Sequence, residues 1–270
     1  MDEIKILTTK QFNDISSQHS FDPILLTKDY YITLLLYLIK DVKGIYFKGG
    51  TALQKIFLNH SRLSEDIDFS INRDVSEVKK EIINIIKNSK IFKGITKDKR
   101  VEKFVRITIH YKGFSEEKGT IFIDLNERDI LLKKPEKHGI KHFYKSFIPE
   151  FSVSSLAKEE MIAEKVRAAI TRNKPRDHFD IYKIIKSKIP INFKLVKEKC
   201  EQSDSEFSVI KMFNKAKQLK NRWNNDIEEL LEEKISFQEI IKTLAKHFKL
   251  KEEKDRLKKA NKEQIIFTKK

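Results

Sequence analysis

The sequence predicts a mixed α/β domain followed by a helical domain. Two observations lead to this fold class. Up to about residue 153, short runs of β-branched and aromatic residues alternate with amphipathic stretches of helical spacing. From about residue 156 onward, the apolar residues recur at helical spacing throughout. We therefore place a first domain at residues 1–153 and a second, helical domain at residues 154–270, and the chain is long enough for both.

The elements of the first domain follow from local composition and spacing. We expect helices over residues 21–40, 52–59 and 76–89 and strands over residues 44–48, 66–71, 101–111 and 119–125. Thr51 is the expected cap of the helix over residues 52–59. Residues 127–144 are polar and basic, and we expect them to form a loop or a sheet edge.

The second domain is predicted from helical spacing and cap residues. We expect helices over residues 156–170, from Pro175 onward, and over residues 207–221, 226–234 and 236–248. Ser154 or Ser155 is the expected cap of the first of these helices, and Ser236 with Glu239 forms a capping box. Residues 249–270 are highly charged, so we expect them to fray.

A glycine turn and two aspartates form the most informative pattern of the chain. Gly49 and Gly50 follow the first predicted strand, and paired glycines let the backbone approach a ligand closely. Asp66 and Asp68 are spaced i, i+2 in the next strand and therefore share one face. Two carboxylates this close repel each other unless a cation lies between them, and such a pair suits Mg²⁺ with its preference for carboxylate and phosphate oxygens.

The order of these features resembles the first motif of the DNA polymerase β-type nucleotidyltransferase superfamily. Two segments, GGTAL at residues 49–53 and RLSEDIDFS at residues 62–70, resemble the sequences of the AbiEii/AbiGii toxin family. The MenT tRNA-modifying toxins belong to the same group. A second block, residues 154–180, resembles later motifs of that family. It has a Lys-x-Arg pair at Lys165 and Arg167 and an Arg-Asp-x-x-Asp-x-Tyr pattern that begins at Arg176.

The resemblance implies a fold and a set of roles. Residues 1–153 would be a polymerase β-type nucleotidyltransferase domain, and residues 154–270 a helical domain that completes the active-site cleft. The implied metal ligands are Asp66, Asp68 and Asp124, and Asp124 is alternatively the base that deprotonates the acceptor hydroxyl. The implied contacts to the triphosphate are the backbone amides of Gly49, Gly50 and Thr51 and the side chains of Lys48, Arg62, Ser64 and Lys165.

Three residues of the later block have less specific implied roles. Arg167 and Arg176 would contact phosphate or the acceptor RNA. Asp180 would orient Lys165 or take part in proton transfer. Asp124 interrupts an apolar β-run, which makes it the best third carboxylate, but Asp180 competes for an acidic role, and the choice stays open here.

The amino-acid composition limits the kinds of binding partner and of metal site that the chain can have. The chain has 56 Lys and Arg against 40 Asp and Glu, a net charge of +16, which favours an anionic macromolecule such as RNA. The alternative is a lysine-rich surface from a compositionally biased proteome. The single cysteine, Cys200, excludes an intramolecular disulfide and a cysteine-rich zinc site. With neither a signal-peptide pattern nor an apolar run that could span a bilayer, we expect a cytoplasmic protein without membrane contact.

These inferences predict a nucleotidyltransferase that uses an NTP and Mg²⁺ or Mn²⁺ and releases pyrophosphate. The resemblance implies that its acceptor is tRNA or another RNA, and that it is the toxin of a toxin–antitoxin or abortive-infection system with a cognate antitoxin as partner. One alternative is a catalytically silent protein that binds RNA or a partner. Another is a transferase that nucleotidylates a protein or a small molecule.

Overall fold

The structure is a computed structural model that describes residues 4–172 and 174–267, without the side chains of residues 97–100 and 261–267. The chain forms two compact units. The first comprises Met1–Met161 and Glu229–Glu233, and the second comprises Ile162–Glu228 and Lys234–Lys270. The division predicted at residues 153 and 154 stays a prediction.

A mixed β-sheet forms the centre of the first unit. In the part of the chain that the structure describes, it contains β1 (Ile45–Lys48), β2 (Asp66–Ile71), β3 (Gly94–Val101), β4 (Phe104–Lys112), β5 (Lys118–Asn126), β6 (Glu136–Gly139) and β7 (Ser152–Ser155). The strand order is β3-β4-β5-β2-β1-β7-β6. β1 pairs with β7 and β2 pairs with β5 in parallel, and the other neighbours are antiparallel.

Helices and a tight turn complete the first unit: α1 (Thr9–Ser16), α2 (Pro23–Ile39), α3 (Gly49–Ala52) and α4 (Val75–Ser89). α2 is apolar on most of its surface and packs against α4 and β5. It begins at Pro23 because the Asp22 side chain accepts two backbone N–H groups there and proline needs none. α3 continues directly into a π-helical turn over Leu53–Phe57.

The second unit is helical. α5 (Lys158–Thr171) begins in the first unit and ends in the second, and it is followed by α6 (Pro175–Lys186), α7 (Phe193–Glu201), α8 (Val209–Phe213), α9 (Ala216–Ile227), α10 (Phe237–His247) and α11 (Leu250–Phe267). α6 packs against α9 and α10. No helix in the described ranges is both long enough and apolar enough to cross a membrane.

The predicted fold class is confirmed, with local corrections near the glycine turn. Thr51 does not cap a helix. α3 already begins at Gly49, with Lys48 in the cap position, and the buried Thr51 hydroxyl donates to the backbone carbonyl of Asp66. The single helix expected over residues 52–59 is replaced by the end of α3 and the π-helical turn.

Further corrections concern the sheet edges and the helix ends. Ser154 and Ser155 do not cap α5, because they lie in β7, where Ser155 pairs with Phe47 of β1. β3 was not predicted, and Val101 belongs to it rather than to the strand expected over residues 101–111. β6 lies at the edge of the sheet, within the segment expected to form a loop or a sheet edge. Residues 228–230 form only a short 3₁₀ turn within the helix expected over residues 226–234. Residues 250–267 are helical where fraying was expected, and residues 268–270 lie outside the described part.

Candidate active site

Four charged residues lie side by side across four adjacent strands. Asp68 of β2 is paired with Lys48 of β1 and with Asp124 of β5. Asp124 is in turn paired with Arg106 of β4. Paired residues point to the same face of a sheet, and Asp66 shares that face because it precedes Asp68 by two residues. We call Arg106, Asp124, Asp68 and Lys48 the charged row, in which two carboxylates are flanked by two cations.

The glycine turn lies against this row. Gly49 has φ +79°, and a Cβ atom there would lie 3.0 Å from Asp68 Cγ and closer still to Asp68 Oδ2. A side chain at this position therefore meets both a strained backbone and a carboxylate. At Gly50, a Cβ atom would lie 2.8 Å from Arg62 Nη2 and 3.3 Å from Ser64 Oγ. The structure thus brings together the two glycines, the Asp-x-Asp strand and the loop that precedes it.

Buried side chains fix the turn to its surroundings. Thr51 is 1% exposed and bonds to the Asp66 carbonyl, so it ties α3 to the first residue of β2. Arg62 is 2% exposed, and its Nη1 donates to the Leu63 carbonyl at 2.8 Å. These contacts hold the local backbone in place. The predicted phosphate contacts of Gly49, Gly50, Thr51, Arg62 and Ser64 stay predictions.

Lys48 has an anionic partner that the sequence did not indicate. Its Nζ forms an ion pair with Asp129 in the loop after β5. The Asp129 carboxylate also accepts hydrogen bonds from Ser70 Oγ at 2.6 Å and from Asn126 Nδ2 at 2.8 Å. Asp129 thereby orients Lys48 at the end of the charged row. It was missed because it lies in a polar loop, outside any spacing pattern.

The loop that carries Asp129 is anchored by a fully buried carboxylate. Glu160 of α5 is 0% exposed. It accepts the backbone N–H groups of Leu132 at 2.9 Å and Lys133 at 2.8 Å. A carboxylate that accepts two backbone donors is a strong, charge-assisted arrangement. Glu160 therefore fixes part of the segment that was expected to be a loop or a sheet edge.

Asp124 is fully engaged by Arg106. The guanidinium donates from Nε and Nη2 to the two carboxylate oxygens, both at 2.7 Å. The hydrogen bonds to Asp124, followed by its charge and the charges of Asp66 and Asp68, raise the pKa of Arg106 above its ordinary value. Arg106 also lies over the Phe122 ring, 4.7 Å from its centre. It was not among the predicted site residues, and it supplies the counter-charge of the three carboxylates.

The carboxylates fit a divalent metal in a restricted way. Within the described residues, no group of three His, Cys, Asp or Glu side chains is arranged to hold a metal ion. Asp66 and Asp68 share a face of β2, so the protein offers two carboxylates there. Mg²⁺ commonly takes one or two protein carboxylates and completes its shell with water and substrate phosphate oxygens. Asp124 as a third ligand stays a prediction, and in that role it would bind the metal through the lone pairs that Arg106 leaves free.

A second charged group, the Lys165 cluster, lies within the helical unit. It consists of Lys165, Arg172, Asp177 and Asp180. Lys165 Nζ lies 3.0 Å from Asp177 Oδ1 and 2.9 Å from Asp180 Oδ2, and all three side chains are buried. Arg172 binds both oxygens of Asp177 at 2.7 and 2.8 Å. The structure therefore brings Lys165 and Asp180 together, and it adds Asp177 and Arg172, which were not predicted as site residues.

The environment of Asp177 favours its charged form. Burial opposes ionisation, but the charges of Lys165 and Arg172 and their hydrogen bonds outweigh it, so that the pKa of Asp177 falls below its usual 3.8. Arg167 lies on the same helix as Lys165, and its buried Nε has no hydrogen-bond partner among the described residues. Arg176 lies in the first turn of α6. Contacts of Arg167 and Arg176 with phosphate or RNA stay predictions.

Comparisons with known proteins identify the family and the fold. A sequence model of the family described as "Nucleotidyl transferase AbiEii toxin, Type IV TA system" matches residues 38–243. Among curated protein sequences, none matches significantly. The crystal structure of JHP933 from Helicobacter pylori is similar with a TM-score of 0.60 and 16% identity, covering 90% of this chain and 99% of that one. MenT4, a nucleotidyltransferase toxin from Mycobacterium tuberculosis H37Rv, has a TM-score of 0.60 at 17% identity, covering 89% and 99%. At these identities the likeness shows the fold.

Proposed function

The chain belongs to the AbiEii nucleotidyltransferase toxin family, and on this premise we propose that it transfers a nucleoside monophosphate from an NTP to RNA, with tRNA as the first acceptor to test. Membership in the family makes it a nucleotidyltransferase toxin, which implies a nucleotide substrate and a cognate antitoxin. The acceptor and the dependence on a divalent metal are our proposals.

One observation supports the transfer site above all others. The Asp66 and Asp68 carboxylates share a face next to a glycine turn that leaves no room for a Cβ atom at Gly49. The absence of a side chain at Gly49 therefore lets the backbone of the turn lie directly against the Asp68 carboxylate. Such a site suits a triphosphate whose oxygens complete the shell of a metal held by the two aspartates.

The metal and the protein would have separate tasks. Mg²⁺ or Mn²⁺, held by Asp66 and Asp68, would neutralise the triphosphate and stabilise the attacking and leaving oxygens. Lys48, oriented by Asp129, places a positive charge at one end of the charged row. Arg106 places a second positive charge at the other end. Both cations lie where negative charge from a triphosphate needs compensation, and both are fixed before substrate arrives, which favours electrostatic stabilisation.

Asp124 is our candidate for the acceptor-activating base. Its position beside Asp68 supports this assignment. Arg106 occupies one lone pair on each carboxylate oxygen of Asp124, so a proton from the acceptor would go to one of the remaining lone pairs. The charge of the whole chain supports an RNA acceptor, since a net charge of +16 favours a polyphosphate partner.

The test is transfer of label from each of the four NTPs, labelled at the α-phosphate, to total tRNA in the presence of Mg²⁺. We expect labelled tRNA with the wild-type chain and a loss of roughly 10²-fold or more with Asp68→Ala, because an essential charged ligand is removed. Asp41→Ala is the matched control, since Asp41 is 80% exposed. Wild-type rates in Asp68→Ala would contradict the site. Label in a protein instead of tRNA would contradict the acceptor.

A further inference from the structure

The segment that follows the glycine turn has an unusual backbone. α3 continues into the π-helical turn, which is closed by a hydrogen bond from the Leu58 N–H to the Leu53 carbonyl, five residues earlier, at 3.0 Å. Single π-helical turns are rare and are found frequently at functional sites. Gln54 and Lys55 belong to this turn, and each is only 1% exposed. The turn therefore carries an amide and an ammonium group into the interior.

The buried Lys55 ammonium group is paired with Asp29, a residue of α2 that is 2% exposed. Lys55 Nζ lies 2.6 Å from Asp29 Oδ1 and donates to Thr33 Oγ1 at 3.0 Å. Its third contact is His60 Nε2, at 3.5 Å. Burial and then the charge of Lys55 lower the pKa of His60 to about 3, so near pH 7 the ring is neutral and its Nε2 can accept. Each of the three N–H groups of Lys55 therefore has an acceptor.

The Asp29 carboxylate is satisfied on both oxygens. Oδ1 faces Lys55, and Oδ2 accepts from the hydroxyl of the fully buried Tyr144 at 3.2 Å. The cost of removing two charges from water can exceed the gain from their attraction, and apolar residues of similar volume often stabilise a fold equally well or better. Net stability is therefore a weak reason for an ion pair at this position. A fully satisfied polar network does, however, fix the segments that carry it in one arrangement.

Gln54 connects the π-helical turn to the loop that precedes β2. Its Oε1 accepts from Ser61 Oγ at 2.9 Å and from the Arg62 N–H at 3.3 Å. Arg62 lies beside the glycine turn, since a Cβ atom at Gly50 would lie 2.8 Å from its Nη2. The π-helical turn is thus held to α2 through Lys55 and to the surroundings of the glycine turn through Gln54.

We propose that Lys55 and Asp29 are positioning residues for the transfer reaction, which act on the glycine turn through the π-helical turn. The ion pair fixes the π-helical turn against α2, and the π-helical turn holds Gly49 and Gly50 beside the Asp68 carboxylate. Without the pair the chain still folds, but the turn is no longer confined to one register. The inference rests on the proposed function, because that function assigns the glycine turn to the triphosphate.

The first experiment replaces both charges by apolar groups in the double variant Asp29→Leu/Lys55→Met. We expect its midpoint of urea unfolding to stay close to that of the wild-type chain, because no buried charge is left without a partner. Lys55→Met alone leaves the Asp29 carboxylate buried without its cation, and we expect its midpoint to fall by about 1 M urea or more. The double variant therefore separates the position of the turn from the stability of the fold.

Hydrogen exchange in the double variant measures whether the pair fixes the turn. The Leu58 amide donates within the π-helical turn, and the His60 amide donates to the Gln54 carbonyl at 3.1 Å. We expect both amides to exchange about ten-fold faster or more, since they lose a buried, charge-assisted anchor. The Val78 amide of α4, which donates to the Asp74 carbonyl at 3.1 Å, is the control and should not change. Wild-type exchange at Leu58 and His60 would overturn the proposal, and this readout does not depend on nucleotidyl transfer.

Kinetics of label transfer to tRNA test the consequence for the reaction. In the double variant we expect kcat to fall about ten-fold or more, with a smaller change in the KM for the NTP, because a displaced turn misaligns a triphosphate that is already bound. A purely structural pair would leave both constants unchanged once stability is restored. Wild-type kcat in the double variant would therefore overturn the proposal. Absence of transfer in the wild-type chain would contradict the proposed function instead, and the exchange at Leu58 and His60 would still show whether the pair fixes the turn.

Thr33→Val keeps both charges and nearly the same volume, so it tests the proposal even if the double variant folds poorly. It removes one of the three acceptors of Lys55, and we expect exchange at Leu58 and His60 to rise and kcat to fall, each about three-fold. Thr27→Val is the matched control, because Thr27 is also buried in α2 and donates to the carbonyl four residues earlier at 2.8 Å, as Thr33 does. It should leave the exchange at both amides and kcat unchanged. Equal behaviour of the two threonine variants would overturn the proposal.

Discussion

Arg106 is a cation that interacts with all three carboxylates. It binds both oxygens of Asp124, and its pKa is raised by all three acids. In Arg106→Gln, one positive charge is lost and Asp124 is released. We expect Mn²⁺ to bind more tightly in the absence of NTP, by on the order of 1 kcal/mol or about five-fold, measured by electron paramagnetic resonance.

The control for this prediction is Arg128→Gln. Arg128 is an exposed arginine that donates to the Glu102 carbonyl and has no part in the charged row. The Arg128→Gln variant should bind Mn²⁺ with the same affinity as the wild-type chain. Unchanged Mn²⁺ affinity in Arg106→Gln would mean that Arg106 does not limit access to the carboxylates.

Gly49 offers a second prediction at the residue scale. Alanine there would have to adopt φ +79° and would place its Cβ against the Asp68 carboxylate. We expect Gly49→Ala to lower the free energy of unfolding by about 1–3 kcal/mol and to reduce transfer, measured by urea unfolding and by labelling of tRNA. Gly139→Ala is the matched control, because nothing lies within 4 Å of a Cβ atom at Gly139. Similar stability of the two variants would refute the close approach.

At the scale of elements, Glu160 connects α5 to the loop after β5. Gln at this position has one carbonyl oxygen, and its amide N–H₂ would face the second backbone donor. We expect Glu160→Gln to raise the rate of hydrogen exchange at the Leu132 and Lys133 amides about ten-fold or more, because an unpaired buried donor costs about 1–3 kcal/mol. The neighbouring exposed Glu159, changed to Gln, is the control. Unchanged exchange in Glu160→Gln would show that other contacts hold the loop.

The Lys165 cluster links α5 to α6, and its stability should depend on pH. The pKa of Asp177 is lowered in the folded chain, so its contribution is fully present above its usual 3.8 and is lost as pH falls through the folded value. At neutral pH we expect Asp177→Asn to cost about 3 kcal/mol, since it leaves buried cations with fewer partners. The difference from wild type should shrink below about pH 4. Urea unfolding at several pH values measures it, with Asp41→Asn as control. A constant difference across this range would contradict the role of the charge.

The elements differ in how well they could be predicted from the sequence. The strand over residues 66–71 was predicted with the bounds that the structure has, because its apolar residues alternate with polar ones within a short range. β7 was missed because Ser152–Ser155 is a mostly polar segment that becomes a strand through its pairing with β6 and with β1, and β1 lies more than a hundred residues earlier. The pairing of Arg106 with Asp124 and the presence of Asp129 could not be predicted for a related reason, since cross-strand register and loop contacts bring these residues to the site.

For the whole molecule, the prediction of fold and family depended largely on one short region. Residues 49–70 were sufficient to indicate the superfamily, and the fold agrees with solved structures at only 16% and 17% identity. Sequence similarity at that level leaves most surface residues free to change. The excess of 16 positive charges is therefore a property of this chain that the fold does not explain. It reflects either contact with RNA or general composition.

Salt dependence separates these two explanations. If the surplus charge serves RNA binding, the affinity for tRNA should fall steeply with salt, because neutralised phosphates release counterions. With about four single-stranded phosphates contacted, the loss between roughly 50 and 200 mM salt is about fifty-fold. Poly-glutamate provides the comparison, since it has the charge of a polyanion without phosphates or bases. Fluorescence anisotropy with labelled tRNA measures both, and competition by poly-glutamate at equal charge concentration should be weak. If poly-glutamate competes as well as tRNA, the charge acts without selectivity, and the RNA acceptor loses its electrostatic support.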